Sequence, residues 1–379
     1  MAEELQKGLD GVLVAESALS DIDGDEGRLI YRGYDIEDLA RGATYEEVLY
    51  LLWHGRLPDR GELEAFGDTM SGERTIDEEV MRTVRALAEA DTNPMAALKT
   101  AVSMLPAYDP APDDIESTDR EITFAKGRRV TAKMPTIVAA FTRARRGEDP
   151  VEPREDLGHA ANFLYMLTGR EPDDVAADVF DQALVLHADH GLNASTFSAL
   201  VTASTLSDVH SAVTSAVGTL KGPLHGGANQ DVMEMLKEID DSEMAPVEWV
   251  ETALAEDRRV AGFGHRVYNV KDPRAKILGE RSRELGEAAG SIKWYEMSTA
   301  IEEYVADRKR LAPNVDFYSA STYYQMGIPV DIYTPIFAMS RVGGWVAHMS
   351  EYIEDNRLIR PRARYVGSCD CEFVPVDER

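Results

Sequence analysis

The sequence predicts an all-α, multi-helical protein of two domains with a short β-hairpin at its N-terminus. Three observations carry that expectation. From Thr44 onward, apolar residues recur at helical spacing in segment after segment, bracketed by capping residues, prolines or glycines. Alternation suited to strands is confined to the first forty residues. The Ala, Ser, Thr and Gly content of residues 193–220, where Asp208 is the only acid, lets helix backbones approach closely.

Taken in order, residues 11–17 and 28–32 bunch and alternate like two short strands around the acidic turn of residues 21–27. That turn mimics the start of a calcium loop. However, Glu26 stands where such loops need glycine and Arg32 where they need a chelating glutamate, so a solvated hairpin turn is expected. Thr44-Tyr45-Glu46-Glu47 has the form of a capping box, opening a helix that Gly55 and Pro58 stop. Helical patterns follow at 77–89, 94–105 (with Pro94 in the first turn), 120–146, 173–189, 229–236, 249–258, 273–289, 292–310 and 335–353. Pro135 should break or kink the 120–146 helix, because it has no N–H and its ring crowds the preceding turn. The poverty of acid in 193–220 puts that segment in the interior; a subunit interface is favoured, with the core of one chain as the alternative. Gly218, Gly222, Gly226 and Gly227 form a hinge into a smaller unit, and Gly327-Ile328-Pro329 leads out of it. The expected organisation is a large helical domain of residues 1–220 and 326–379, and a small domain of 221–325 that closes over a site.

Composition narrows the function. Among 379 residues, 68 are acidic and 40 basic, giving a net charge of −28, and Arg outnumbers Lys thirty to ten. The acid is interleaved with apolar residues, so it reads as a solvated shell suited to concentrated salt, where the Debye length falls to about 3 Å, rather than as disorder. With no basic stripe, nucleic acid is not an expected partner. No apolar run approaches the roughly 18 residues of a membrane span. Residues 1–6 have neither the basic start nor the apolar stretch of a secretory signal, which points to the cytoplasm. Cys369 and Cys371 suit neither a disulfide framework nor a zinc site, and reduced thiols are expected.

Three segments deliver the chemistry: Gly222-Pro223-Leu224-His225-Gly226-Gly227, Gly262-Phe263-Gly264-His265-Arg266 and Pro313-Asn314-Val315-Asp316-Phe317-Tyr318. Two imidazoles and a carboxylate can move a proton and polarise a carbonyl. His225 precedes a helix, where a neutral imidazole can donate to a carbonyl oxygen; capping the turn is the alternative. Asp316 lies in an apolar context that makes a carboxylate a stronger base; capping the following helix is its alternative. Arg266, Lys271, Arg274 and Lys276 crowd one short stretch of an acidic chain. Arg357, Arg360, Arg362 and Arg364 form a second patch, with Arg341 upstream. Such clusters suit carboxylates and phosphates. His187-Ala188-Asp189-His190 could hold a metal, but it lacks a third ligand, so no metal is expected and His190 reads as a substrate contact. His54, His159, His210 and His348 fall on helix patterns without partners.

Taken together, Tyr31–Ile36, His187–Asn193, Gly222–Asn229, Gly262–Arg274, Pro313–Ser319, Met339-Ser340-Arg341 and Ile359–Arg362 resemble citrate synthase over essentially the whole chain, in its shorter archaeal and bacterial form. The resemblance implies a citrate synthase-like fold and a homodimer that closes on oxaloacetate. His225 would bond the thioester oxygen of acetyl-CoA, Asp316 would remove a methyl proton, and His265 would polarise the ketone. His190, Arg274 and Arg341 would bind the substrate carboxylates, with Arg360 arriving from the other subunit. Arg266 and Lys271 would meet CoA, a co-substrate; no tightly bound cofactor is implied. The rivals are 2-methylcitrate synthase acting on propionyl-CoA, a metal-dependent hydrolase using His187, Asp189 and His190, and a non-catalytic relative, against which the intact His225, His265 and Asp316 count.

Overall fold

Short polar side chains start most of the helices, each accepting a hydrogen bond from a backbone N–H that the first turn leaves without a partner. The computed structural model describes residues 5–9, 11–111 and 119–379; residues 1–4, part of the stretch read for a signal, lie outside them. Strands β1 (Ser20–Asp23), β2 (Arg28–Tyr31) and β3 (Tyr34–Asp35) form an antiparallel sheet in that order, with Ser20 opposite Tyr31 and Asp23 opposite Arg28. The expected first strand at 11–17 is therefore displaced. Pairing across a tight turn selects the residues flanking it, and Asp23 Oδ1 closes that turn by accepting from the N–H groups of Asp25 and Glu26.

The helices come next: α1 (Ile36–Gly42), α2 (Tyr45–His54), α3 (Arg60–Gly72), α4 (Glu78–Glu89), α5 (Pro94–Met104), α6 (Arg120–Arg145), α7 (His159–Thr168) and α8 (Asp174–His187). They continue with α9 (Ala194–Ala203), α10 (Val209–Leu220), α11 (Ala228–Ser242), α12 (Pro246–Ala255), α13 (Pro273–Ala288), α14 (Lys293–Lys309), α15 (Val315–Gln325) and α16 (Tyr333–Glu354). The capping box at Thr44 and Glu47 forms as expected, and Gly55 ends α2 in the left-handed conformation. Helix α6 runs unbroken through Pro135, contrary to expectation. Residues 134–142 are all buried, and α6 packs against α4, α7 and α16, so tertiary burial outweighs one missing backbone bond.

Helix α16 is the centre. Every residue from Tyr333 to Ser350 is buried, and the helix packs against α2, α6, α8, α9 and α10. At Gly344 a Cβ would fall 2.4 Å from the Ala188 carbonyl oxygen, so only glycine lets α16 pass the end of α8. A second group packs around α13 and α15, joined by α11 and α14. The small-residue segment becomes the α9–α10 pair, joined by a Ser198–Ser215 hydroxyl contact of 2.7 Å. Ala199, Leu200, Ala203, Ala212, Val213, Ala216 and Val217 are buried in the chain's own core, so one chain already uses much of that surface.

The arginine runs of α6 are ion-paired: Arg128 with Glu73 and Arg129 with Asp109. They leave a large excess of acid at the surface. Self-repulsion of a net charge of −28 weakens the compact state in dilute salt. We expect the melting temperature to rise on the order of 10 °C between about 0.1 M and about 2 M KCl, followed by circular dichroism; a flat profile would refute the salt-adapted surface.

Candidate active site

Two distant loops are stitched together to begin the site. Gly264 N donates to Ala312 O at 3.0 Å, Asn314 N to Gly262 O at 2.9 Å, and Asn314 Nδ2 to Gly264 O at 3.1 Å. Gly262 permits this: its φ is +83°, and a Cβ would fall 2.7 Å from both Phe317 and Val232. His265 and Asp316 therefore project from adjacent, paired segments of the chain. Asn314, not Asp316, caps α15, accepting from the Asp316 N–H at 3.1 Å. The Asp316 carboxylate makes no hydrogen bond with any described residue. Burial pushes it up to about 6, with Arg274 pulling the other way.

His265 is fixed by backbone. The N–H groups of Val267 and Tyr268 donate to its Nδ1 at 3.0 and 3.2 Å, so the proton of the neutral ring sits on Nε2. Burial, then the charge of Arg274, hold it down at about 4. The His190 ring lies edge-on to it at 5.2 Å between centroids, and His190 Nε2 is 3.3 Å from the Tyr268 hydroxyl. Burial, then Arg274 and Arg341, keep His190 neutral.

His225 stands at the mouth of α11, beside the start of α9. The Ser195 N–H donates to its Nε2 at 3.2 Å, which assigns the ring proton to Nδ1. Ser195 is itself locked: its hydroxyl donates to Asn193 Oδ1 at 2.7 Å and accepts from Trp345 Nε1 at 3.1 Å. Burial and the charge of Arg341 depress His225 to about 4.

Two buried guanidiniums tie these groups together. Arg341 bears electrostatically on His225, His190 and Asp316, and Arg274 on His190, His265 and Asp316. Arg341 donates through Nε to His187 O at 2.6 Å, while its Nη2 is buried with no partner among the described residues. Burial pulls its pKa down to about 10. Arg274 forks onto Asp272, at 3.0 Å and 2.8 Å, and both side chains are buried. The other candidates stand apart. Lys271 pairs with Glu302 at 2.7 Å and lies over the Tyr318 ring, Arg266 is exposed, and Arg360 sits exposed in the irregular tail after α16. His187 Nδ1 donates to Ala183 O, and Asp189 is taken by His348 and Ser20, so the suspected metal trio has divergent partners. Sequence reasoning missed Ser195, Tyr268 and the buried role of Asp272; for Ser195 the only signal is Asn193, a ready helix cap two residues earlier.

The family model for the citrate synthase C-terminal domain matches residues 8–362. The chain belongs to the citrate synthase family. A citrate synthase from Haloferax volcanii is 68% identical over 379 residues, covering 100% of both chains. The fold agrees. The crystal structure of citrate synthase from Pyrobaculum aerophilum superposes with a TM-score of 0.91 at 46% identity, covering 98% of this chain and 95% of that one. The citrate synthase of Thermoplasma acidophilum, solved as a ternary complex with carboxymethyl coenzyme A and oxaloacetate, superposes with a TM-score of 0.91 at 35% identity, covering 100% of both chains. Membership of the citrate synthase family makes this chain an enzyme that forms a carbon–carbon bond between acetyl-CoA and oxaloacetate. Among the described residues no helix is long and apolar enough to cross a membrane.

Proposed function

We propose that His225, Asp316 and His265 divide the condensation between them. Asp316 takes a methyl proton from acetyl-CoA while His225 donates its Nδ1 proton in a hydrogen bond to the thioester oxygen, holding the charge as it develops. The resulting enol carbon attacks the ketone carbon of oxaloacetate, whose oxygen receives a hydrogen bond from His265 Nε2. Water then cleaves the citryl thioester, releasing citrate and CoA. The observation that carries this reading is the opposed tuning of the groups: two imidazoles held neutral with defined donor atoms, beside a carboxylate held near neutrality. His190, Arg274 and Arg341 bind the dianion; the spare Nη2 of Arg341 supports this. CoA is a co-substrate met by Arg266 and Lys271.

The enzyme works as a cytoplasmic homodimer whose small domain, 221–325, closes on the large one. Support comes from the exposed Val201 and Leu206 of the α9–α10 region and from Tyr365, Val366 and Phe373 of the tail, a tail that also carries Arg360 toward a partner's site. The test is citrate and free-thiol release from acetyl-CoA and oxaloacetate, run beside propionyl-CoA. We expect acetyl-CoA to be favoured by roughly tenfold or more, since one methyl group is worth about 1–3 kcal/mol in an apolar pocket. A preference for propionyl-CoA would overturn the assignment.

Arg274 has a second duty that its sequence context hides. Removing it leaves the Asp272 carboxylate buried and unpaired, so Arg274→Gln is expected to lose about 3–5 kcal/mol of stability besides oxaloacetate affinity. The pair Asp272→Asn with Arg274→Gln restores most of the stability and leaves the oxaloacetate KM raised, as denaturant melts and kinetics would show.

A further inference from the structure

His348, read from the sequence as a helix position without a partner, has one 159 positions away. Its Nε2 donates to both carboxylate oxygens of Asp189, at 3.1 and 3.2 Å, and both side chains are buried. Ser20, from β1, donates through Oγ to Asp189 Oδ2 at 2.6 Å and accepts from the Gly191 N–H at 3.0 Å. Tyr31, from β2, donates to the Asp189 carbonyl at 2.7 Å and accepts from its N–H at 3.1 Å. Helix α16 closes the last side, with Gly344 against Ala188. The residues immediately before and after His190 are thus both clamped: Asp189 by the side chains of His348, Ser20 and Tyr31, and Gly191 by those of Ser20, Asp189 and Asn193. Among the described residues, His190 itself has a single side-chain hydrogen-bond partner, the Tyr268 hydroxyl.

We propose that the Asp189–His348 pair, with Ser20, is a positioning device that aims the His190 imidazole at oxaloacetate. This rests on the reading of His190 as a substrate contact. A buried pair can also exist simply to hold a fold together, and the two roles separate in kinetics. A structural pair lowers stability and leaves relative affinities alone, whereas a positioning pair changes affinity for one substrate. Ser20 is the discriminating handle, since it touches both Asp189 and Gly191 yet lies at the sheet edge, outside the core.

The test uses the full chain in high salt, with oxaloacetate binding followed by calorimetry and both KM values by kinetics. Ser20→Ala is expected to weaken oxaloacetate binding roughly tenfold and leave the acetyl-CoA KM within about twofold. His348→Gln, which keeps an N–H donor for Asp189, stays close to the parent, while His348→Leu weakens oxaloacetate binding further. Should His348→Leu fail to fold, Ser20→Ala and His348→Gln decide. Unchanged oxaloacetate binding in Ser20→Ala, or equal changes in both KM values, overturns the proposal. Failure of the underlying functional reading would show separately, as a parent protein that makes no citrate.

Discussion

Replacing Asp316 with asparagine is expected to lower the condensation rate by roughly 10³-fold or more, the scale of a lost general base, while leaving the protein at least as stable as before at neutral pH. The two halves of this result have one cause. Burial lifts the carboxyl from 3.8 to about 6, so the ionised form that catalysis needs is the form the folded state disfavours. A raised carboxyl pKa means the folded chain binds the proton more tightly than the unfolded one. Its contribution to stability is greatest at low pH and is lost as pH rises from about 4 through about 6. Each unit corresponds to about 1.4 kcal/mol, so ionised Asp316 costs on the order of 3 kcal/mol. A neutral amide of the same size removes that penalty, because Asn314 does the capping. Activity runs the other way: kcat/KM of the parent should fall tenfold per pH unit below about 6. His225 and His265, both held near 4, remain neutral over the upper part of that range. Near-parental turnover in the Asp316→Asn variant would end the assignment.

The second large effect is at His225. His225→Ala removes the Nδ1 donor from the thioester oxygen, and losing one such donor lowers kcat by about 10²–10³-fold. Folding survives, because the ring is partly exposed in a loop and its anchor, Ser195, keeps its bonds to Asn193 and Trp345. The acid limb near pH 6 should persist in the residual activity, since it belongs to Asp316. A variant that loses that limb, or keeps full rate, contradicts the division of labour proposed above.

Several helices were legible where a capping residue or an early proline opened a clear periodic apolar run, as at Thr44, Asp77 and Pro94, whereas α3 was not, since behind its Asp59–Glu62 capping box only Phe66, Met70 and Ser71 are buried. Strand placement was not. The apolar run at 11–17 looks more strand-like than Ser20-Asp21-Ile22-Asp23, but only the latter flanks the turn closely enough to pair. At α15 both Asn314 and Asp316 are good caps by type, and the choice between them depends on where the helix starts. The catalytic candidates could be picked from glycine-framed and apolar contexts. Their supports could not, because Ser195 meets His225 from helix α9, through its backbone N–H and its hydroxyl, and His348 reaches Asp189 across a large part of the chain.

Helix α16 supplies Arg341, the Trp345 that steadies Ser195, and His348, while being the most deeply enclosed segment described. Its amides should therefore exchange with deuterium only when the whole molecule opens. Activity then has no gradual route to failure: warming or desalting would extinguish turnover and the native spectrum together, in one sigmoid.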